Sequence, residues 1–530
     1  MYLLIWTVAL LAAAYFYLRN IYSKFSRLGV NHLPVVPILG NATRSVLKME
    51  HFVYAWERAY KAYPDDKILG MYEFINPVYV AKDLDLLKRI TLKDFDHFVD
   101  RRGFTSIDDP LFSKNLLLLK GDEWKAMRAT LSPAFTSSKI RLMVPLMVEV
   151  GDLMMNHLRK KIKESGVGYI DIDTKDMSTR FANDVIATCA FGLKVDSVDQ
   201  DNVFYTKCRE ATSFSLRDFI KIVIMQSFPR ITKIFNFSVR PKSISEFFTN
   251  LVVDMMKQRE EQNIVRNDMI HLLMEAKKGN LSHDMKDTSD GSAGFATVEE
   301  SALGKKTNNY EWTDTYLVAQ VFLFLLAGFE TVSTVMTFLL HELALNPDVQ
   351  DKLYEEIKAN HDNNNGKFDY NSIQKMTYLD MVVSEILRLW PPAPAMDRLC
   401  VKDYNLGRPN DKAQKDVIIR KGEGIMLPFW AIHRDPNYFP DPDKFDPERF
   451  SETNKHNIKP FTYLPFGAGP RNCIGSRFAL CEVKVVVYQL LLNMEVMPCE
   501  KTCIPTKLAP DAVQMRIQGG HWLRMKLRNA

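Results

Sequence analysis

Ten residues carry the clearest chemical signal in the chain: Phe466-Gly467-Ala468-Gly469-Pro470-Arg471-Asn472-Cys473-Ile474-Gly475. Two glycines and a proline set a tight turn ahead of the cysteine. The apolar run from Phe478 to Leu492 reads as a helix, so Cys473 stands near a helix N-terminus, where the dipole and free N–H groups favour a thiolate. Arg471 adds positive charge, Phe466 can shield one side of the sulfur, and Gly475 lets the following backbone pass close to a flat group. No second cysteine or histidine stands at zinc-like spacing. The chemistry favoured is a single thiolate held for a metal. A lone buried cysteine in a glycine-rich turn is the ordinary alternative.

A second group is Ala327-Gly328-Phe329-Glu330-Thr331, inside a long apolar stretch from about Asp314 to Asn346. Such a stretch is long enough to span a bilayer. Glu330, Gln320 and Gly328 argue instead for a buried helix crossing a large core, since a carboxylate in mid-membrane is costly. Ala327 and Gly328 leave room beside a planar group; Glu330 and Thr331 supply an acid and a hydroxyl for proton delivery. A third group, Glu385 and Arg388, shares one helix face at i and i+3. The surrounding residues, Met381 to Trp390, are largely apolar, so the pair is expected to be buried and locked. Pro447-Glu448-Arg449-Phe450 follows.

The pattern Phe-x-x-Gly-x-Arg-x-Cys-x-Gly, preceded in order by these other groups, resembles the haem-binding signature set of cytochromes P450, and the resemblance covers essentially the whole chain. It implies a mainly α fold with small β-sheets, in which haem b lies between a long central helix and the loop of Cys473, the metal ligand. By position in the family pattern, Trp124, Arg128, Arg398, Arg471 and Arg101 would hold the haem propionates, for which arginine is well suited; Arg102 stands beside Arg101. Phe466 and Ala327 would flank the cofactor. Thr331 and Glu330 would act catalytically, and Glu385, Arg388 and Arg449 would be structural.

The resemblance also implies electrons from NADPH by way of NADPH–cytochrome P450 reductase, with cytochrome b5 a further candidate partner. The chain has no Gly-x-Gly-x-x-Gly fingerprint, so it should not bind NADPH itself. A basic docking face is expected, with Lys125, Lys139, Arg141 and Lys484 as candidates against the plain reading of solvated charges. Phe98-Val99-Asp100-Arg101-Arg102, Leu131-Ser132-Pro133-Ala134-Phe135 and Trp390-Pro391-Pro392-Ala393-Pro394-Ala395 resemble insect microsomal members. The implied role is oxidation of foreign lipophilic compounds, such as plant toxins and insecticides. A dedicated hydroxylase of an endogenous fatty acid or sterol hormone is the alternative, and a haem-thiolate isomerase needing no reductase is a third reading, against which Glu330-Thr331 weighs. Positions matching the family's substrate contacts are Ile107, Phe112, Phe324, Ala395 and Val513, all apolar.

The rest of the chain has to position these groups. Residues Met1 to Leu18 carry no charged side chain, and Arg19, Lys24 and Arg27 follow. Eighteen helical residues span about 27 Å, close to the thickness of an endoplasmic-reticulum bilayer. With no basic region ahead of the apolar run, an uncleaved anchor is favoured over a cleaved signal, and the trailing positive charges place the remainder in the cytosol. The expected organisation is an anchor over 1–18, a basic and Pro-rich linker over 19–41 and one catalytic domain over 42–530, single-pass in the endoplasmic-reticulum membrane. Met143 to Lys163 and Thr337 to Asn360 show helical spacing, while Lys67–Val80, Asp416–Leu427 and the region near Val513–Met525 read as strands. Gly279–Asn309, with a sequon at Asn280, reads as an exposed loop, and Phe228 to Met256 as either core helix or a second membrane contact. Net charge is +5 over 530 residues, with no nucleic-acid-binding motif. Seven scattered cysteines do not suggest a disulfide framework.

Overall fold

The computed structural model describes residues 1–103, 109–213, 215–227, 240–278, 294–298, 312–368 and 370–528. The first helix, α1 (Tyr2–Tyr22), has no buried residue and is long and apolar enough to cross a membrane. It runs four residues past the uncharged stretch. Its end is tied to the sheet that follows: the Tyr22 hydroxyl donates to the Phe74 carbonyl at 3.2 Å, and the Tyr72 hydroxyl donates to the Tyr22 carbonyl at 3.0 Å. Phe25 is fully buried in a slot left by Gly70, where a Cβ would fall 2.3 Å from the Phe25 ring. The Pro-rich segment is also paired, through bridges from His32 to Gly70 and from Gly40 to Glu73.

Three small sheets frame the helices. β1 (Ile68–Glu73) and β2 (Asn76–Ala81) form a hairpin; β7 (Gly424–Leu427) pairs parallel with β2, and β4 (Met396–Leu399) pairs antiparallel with β7. β3 (Tyr169–Asp173), β9 (Trp522–Leu527) and β8 (Met494–Met497) make the second sheet, and β5 (Tyr404–Gly407) with β6 (Val417–Ile419) the third. The region near Val513–Met525 contributes a strand only from Trp522 onwards. β3, β4, β5 and β8 are four or five residues long, too short to show alternation in the sequence.

The helices that matter for the site are α2 (Gly121–Leu131), α3 (Ser137–Glu164), α4 (Thr174–Ile186), α5 (Asp314–Leu345), α6 (Pro347–Asn363), α7 (Thr377–Leu389) and α8 (Ser476–Asn493). α5 is the long apolar helix and lies mostly buried, packed along α4, so it is a core helix in this fold rather than an isolated span. The helical pattern over Thr337–Asn360 is two helices. Pro347 has no N–H to continue α5 and sits instead at the first turn of α6, where none is needed. An Asp173 carboxylate caps α4 by accepting from Lys175 N at 2.9 Å. α8 packs against α3 and is buried over most of its length, which is why its valines are tolerated in a helix. Ile107, Asn280 and residues 228–239 lie outside the described residues, as does most of Gly279–Asn309; the end of the Phe228–Met256 segment belongs to a helix, Lys242–Gln262.

Candidate active site

The cysteine loop folds as its glycines demand. Gly467 and Gly469 have φ of 76° and 73°, a region L side chains rarely enter, and a Cβ on Gly469 would lie 1.8 Å from the Thr91 carbonyl oxygen. The Cys473 N–H donates to the Phe466 carbonyl at 2.9 Å and the Asn472 N–H to the Gly469 carbonyl at 3.0 Å. Cys473 opens into a cavity of about 480 Å³. Burial pushes its thiol up, against the opposing pull of the Gly475 N–H, Arg128 and Arg101. A bound metal would deprotonate the coordinating thiol outright.

One side of α5 lines the same cavity: Phe324, Ala327, Gly328, Thr331 and Val335, spaced at helical intervals. The Thr331 hydroxyl donates to the Ala327 carbonyl at 2.6 Å. Glu330 lies on another face and is not among the lining residues. Its carboxylate is held by Lys175 Nζ at 3.0 Å and Arg516 Nη2 at 3.2 Å. Burial pushes the Glu330 carboxyl up, against the opposing pull of the Thr334 hydroxyl, and with Lys175 and Arg516 in ion-pair contact the group is set behind the helix. Lys175 also donates to Ser333 Oγ at 2.7 Å and Thr334 Oγ1 at 3.2 Å. The acid and the alcohol adjoin in sequence but face different surroundings.

At one end of the cavity the arginines gather. Arg101, Arg128, Arg471 and Trp124 line it, and the Arg471 guanidinium stacks on the Trp124 ring at 4.0 Å. Arg398 is wholly buried beside them, and its Nε and Nη2 find no partner among the described residues. Burial, then the neighbouring guanidinium groups, pull Arg398 down to about 9 and Arg471 to about 8. Asp397, 3.4 Å from Arg101, and Asp100, 3.8 Å from Arg471, supply too little negative charge to offset the crowding. The cluster therefore fits an anionic ligand with more than one acceptor. Arg102 is engaged elsewhere, with Glu73 at 2.8 Å. Arg471 commits its donors to backbone carbonyls, including Val99 at 2.8 Å and Leu119 at 2.7 Å, so it ties the loop to the cavity wall. Asn472 was not singled out from sequence; it takes a two-pronged contact from Arg128 at 2.9 and 2.8 Å.

Behind the loop, Glu385 and Arg388 are both fully buried and joined by two bonds of 2.7 Å, with Arg449 Nε 3.4 Å from Glu385. Arg388 also donates to the His433 carbonyl at 2.9 Å, and the His433 ring accepts from Leu464 N at 2.9 Å, two residues before Phe466. Burial holds His433 neutral, near 3. No sequence signal marks His433.

The matching family model is Cytochrome P450, over residues 31–523. Curated relatives include "Cytochrome P450 9e2" of Blattella germanica, 42% identical over 95% of this chain and 94% of that one. "Probable cytochrome P450 9f2" of Drosophila melanogaster is 43% identical over 87% of each chain, and "Cytochrome P450 6k1" of Blattella germanica 36% identical over 94% and 92%. The chain belongs to the cytochrome P450 family. This P450 is therefore a monooxygenase using haem b. The residues present fit that group: a cysteine sulfur and the small residues Ala327 and Gly328 line one cavity, with under-compensated arginines beside it that suit carboxylates.

The substrate candidates divide. Phe324 and Ala395 line the cavity of this P450. Phe112 does not; its ring packs edge-on against Phe322 at 5.4 Å. Val513 is half-buried away from the lining. Leu116, Leu117 and Leu323 take their place. Of the docking candidates, Lys484 does not reach the surface: it is fully buried and paired with Asp380 at 2.9 Å, so it cannot meet a partner. Lys125 is partly exposed and 3.5 Å from Asp96, and Arg141 lies over the Tyr370 ring at 5.2 Å.

Proposed function

We propose that this P450 oxidises uncharged lipophilic compounds, foreign ones such as plant toxins and insecticides, with electrons passed from NADPH by cytochrome P450 reductase at the endoplasmic-reticulum membrane. The observation that carries the reading is the cavity: among the described residues no acidic side chain lines it, and its wall away from the arginines is mostly apolar, with Leu, Phe, Val, Ile, Met and Ala side chains. Bound haem b supplies reductive activation of O₂ and transfer of one oxygen atom to the substrate. Cys473 holds the iron. Arg398, Arg128 and Arg101 hold the propionates, with Trp124 and Arg471 bracing them. The apolar wall orients the substrate and excludes water.

Thr331 lines the cavity, and its Oγ1, whose proton goes to the Ala327 carbonyl, is the atom that relays protons there. Glu330, behind the helix with the partly exposed Arg516, is the outer proton station. Thr331→Ala is expected to keep haem content and substrate affinity while most NADPH electrons leave as hydrogen peroxide. Coupling measured as product formed per NADPH consumed checks this, and unchanged coupling removes Thr331 from the mechanism.

The exposed apolar α1 supports the membrane placement. Deleting residues 2–18 is expected to move the protein from the pelleted membranes towards the supernatant, with its reduced-CO band retained. Immunoblotting of the two fractions checks it. The role is tested by NADPH-dependent substrate loss in membranes carrying this P450 and a reductase, over alkaloids, flavonoids, insecticides, fatty acids and sterols. Turnover of several unrelated foreign compounds supports the reading. Turnover of one endogenous lipid alone makes it a biosynthetic hydroxylase.

A further inference from the structure

One side chain of α5 does not fit its surroundings. Gln320 is fully buried in an otherwise apolar part of the helix, and its amide is satisfied at both ends. Oε1 accepts from Leu116 N at 2.8 Å; Nε2 donates to the Lys114 carbonyl at 2.8 Å and to the Tyr316 carbonyl at 2.9 Å. Gln320 therefore meets the 114–116 backbone as a neighbouring strand would, taking one N–H and giving to one C=O. Only a side chain that both donates and accepts can do this.

The backbone it grips belongs to the cavity. Leu116 and Leu117 line one wall, and Leu323 and Phe324, one turn beyond Gln320, line another. The same loop is held from its far side by Arg471, which donates to the Leu116 carbonyl at 3.3 Å and the Leu119 carbonyl at 2.7 Å. Within it, the Asn115 side chain accepts from Leu117 N and Leu118 N at 3.1 Å each. The loop is thus clamped between the cysteine loop and α5; at the α5 end Gln320 holds its backbone, while the Tyr316 hydroxyl accepts from the Lys114 side chain at 2.8 Å.

We propose that Gln320 is a positioning residue that fixes the gap between the Leu116–Leu117 wall and the Leu323–Phe324 wall, and so selects ligands of this P450 by size. It touches no ligand and acts through Leu116 and Leu117. The inference rests on the reading of this cavity as the ligand site. Small ligands that need only the iron are indifferent to the gap; bulky ones are not.

The test is optical titration of the holoenzyme with imidazole and with the bulky azole clotrimazole. For Gln320→Met, similar in length but without the amide, imidazole affinity is expected to stay within about twofold of wild type while clotrimazole affinity changes by about tenfold, the scale of a lost buried hydrogen-bond pair. Unchanged affinity for both overturns the proposal. So does a parallel change in both, which is what general loosening would give. Leu117→Trp separates this from the underlying reading: if that bulk in the wall leaves clotrimazole binding untouched, the cavity is not the ligand site. Where Gln320→Met fails to hold haem, hydrogen exchange in the wild-type holoenzyme decides. Slow exchange at the Leu116 N–H upholds the clamp, and exchange at the rate of an open loop overturns it.

Discussion

Arg388→Ala is expected to yield almost no haem-containing protein. Arg388 is fully buried and makes two bonds of 2.7 Å to Glu385, with further bonds to the carbonyls of His433 at 2.9 Å, Pro442 at 2.8 Å and Lys444 at 3.2 Å. Removing it leaves the buried Glu385 carboxylate with the Asp446 N–H at 2.9 Å and Arg449 at 3.4 Å, and leaves three carbonyls without this donor. Breaking a buried ion pair from one side costs about 3–5 kcal/mol. That is a large part of the roughly 5–15 kcal/mol by which folded domains are stable. The damage also reaches the cysteine loop, because the His433 ring that Arg388 steadies receives the Leu464 N–H just ahead of Phe466. Arg388→Lys keeps the charge but not the planar fork, so it is expected to recover only a small fraction. Haem per protein in purified membranes is the measurement. Wild-type haem content in Arg388→Ala would show that the pair is dispensable.

Cys473→Ala is expected to remove NADPH-dependent turnover of every substrate while leaving the protein folded. The deletion takes away only the sulfur, since the N–H of residue 473 still donates to the Phe466 carbonyl and the glycine turns are unaffected. Among the described residues, Cys189 is the one further cysteine that lines the cavity; it lies just past the end of α4, and burial pushes its thiol well up. A loss confined to activity, with the unfolding temperature of the haem-free protein within a few degrees of wild type, separates a ligand from a packing residue. Turnover that survives the substitution would place the iron elsewhere.

The site was legible where chemistry constrains local spacing. The loop around Cys473, the Glu385–Arg388 step and the Ala327–Thr331 run each announce themselves within ten residues. The parts that stayed hidden depend on partners far apart in the chain. Lys175 reaches Glu330 across 155 positions and Arg128 reaches Asn472 across 344, and nothing near either lysine or arginine marks the pairing. Lys484 was a docking candidate because the resemblance implies a basic face, yet it sits in an apolar run, and α8 is covered on nearly every side. Phe112 and Val513 were apolar residues in plausible positions, and apolarity alone does not separate a core contact from a cavity wall. Gln320 was noticed only as a polar interruption of a possible span. Its partner, the Leu116 backbone, has no signature at all. The short strands were missed for a similar reason: a four-residue strand such as Met396–Leu399 is defined by its neighbours in the sheet, Gly424–Leu427, rather than by its own pattern.

The most direct test of the account is the absorption spectrum of the reduced, CO-bound protein in its own membranes. With Cys473 holding the iron, the Soret band should show the strong red shift of thiolate ligation, and Cys473→Ala should lose it. A band at the position given by histidine ligation, in protein that is otherwise folded and carries haem, would contradict the assignment of Cys473 and with it the mechanism built on this cavity.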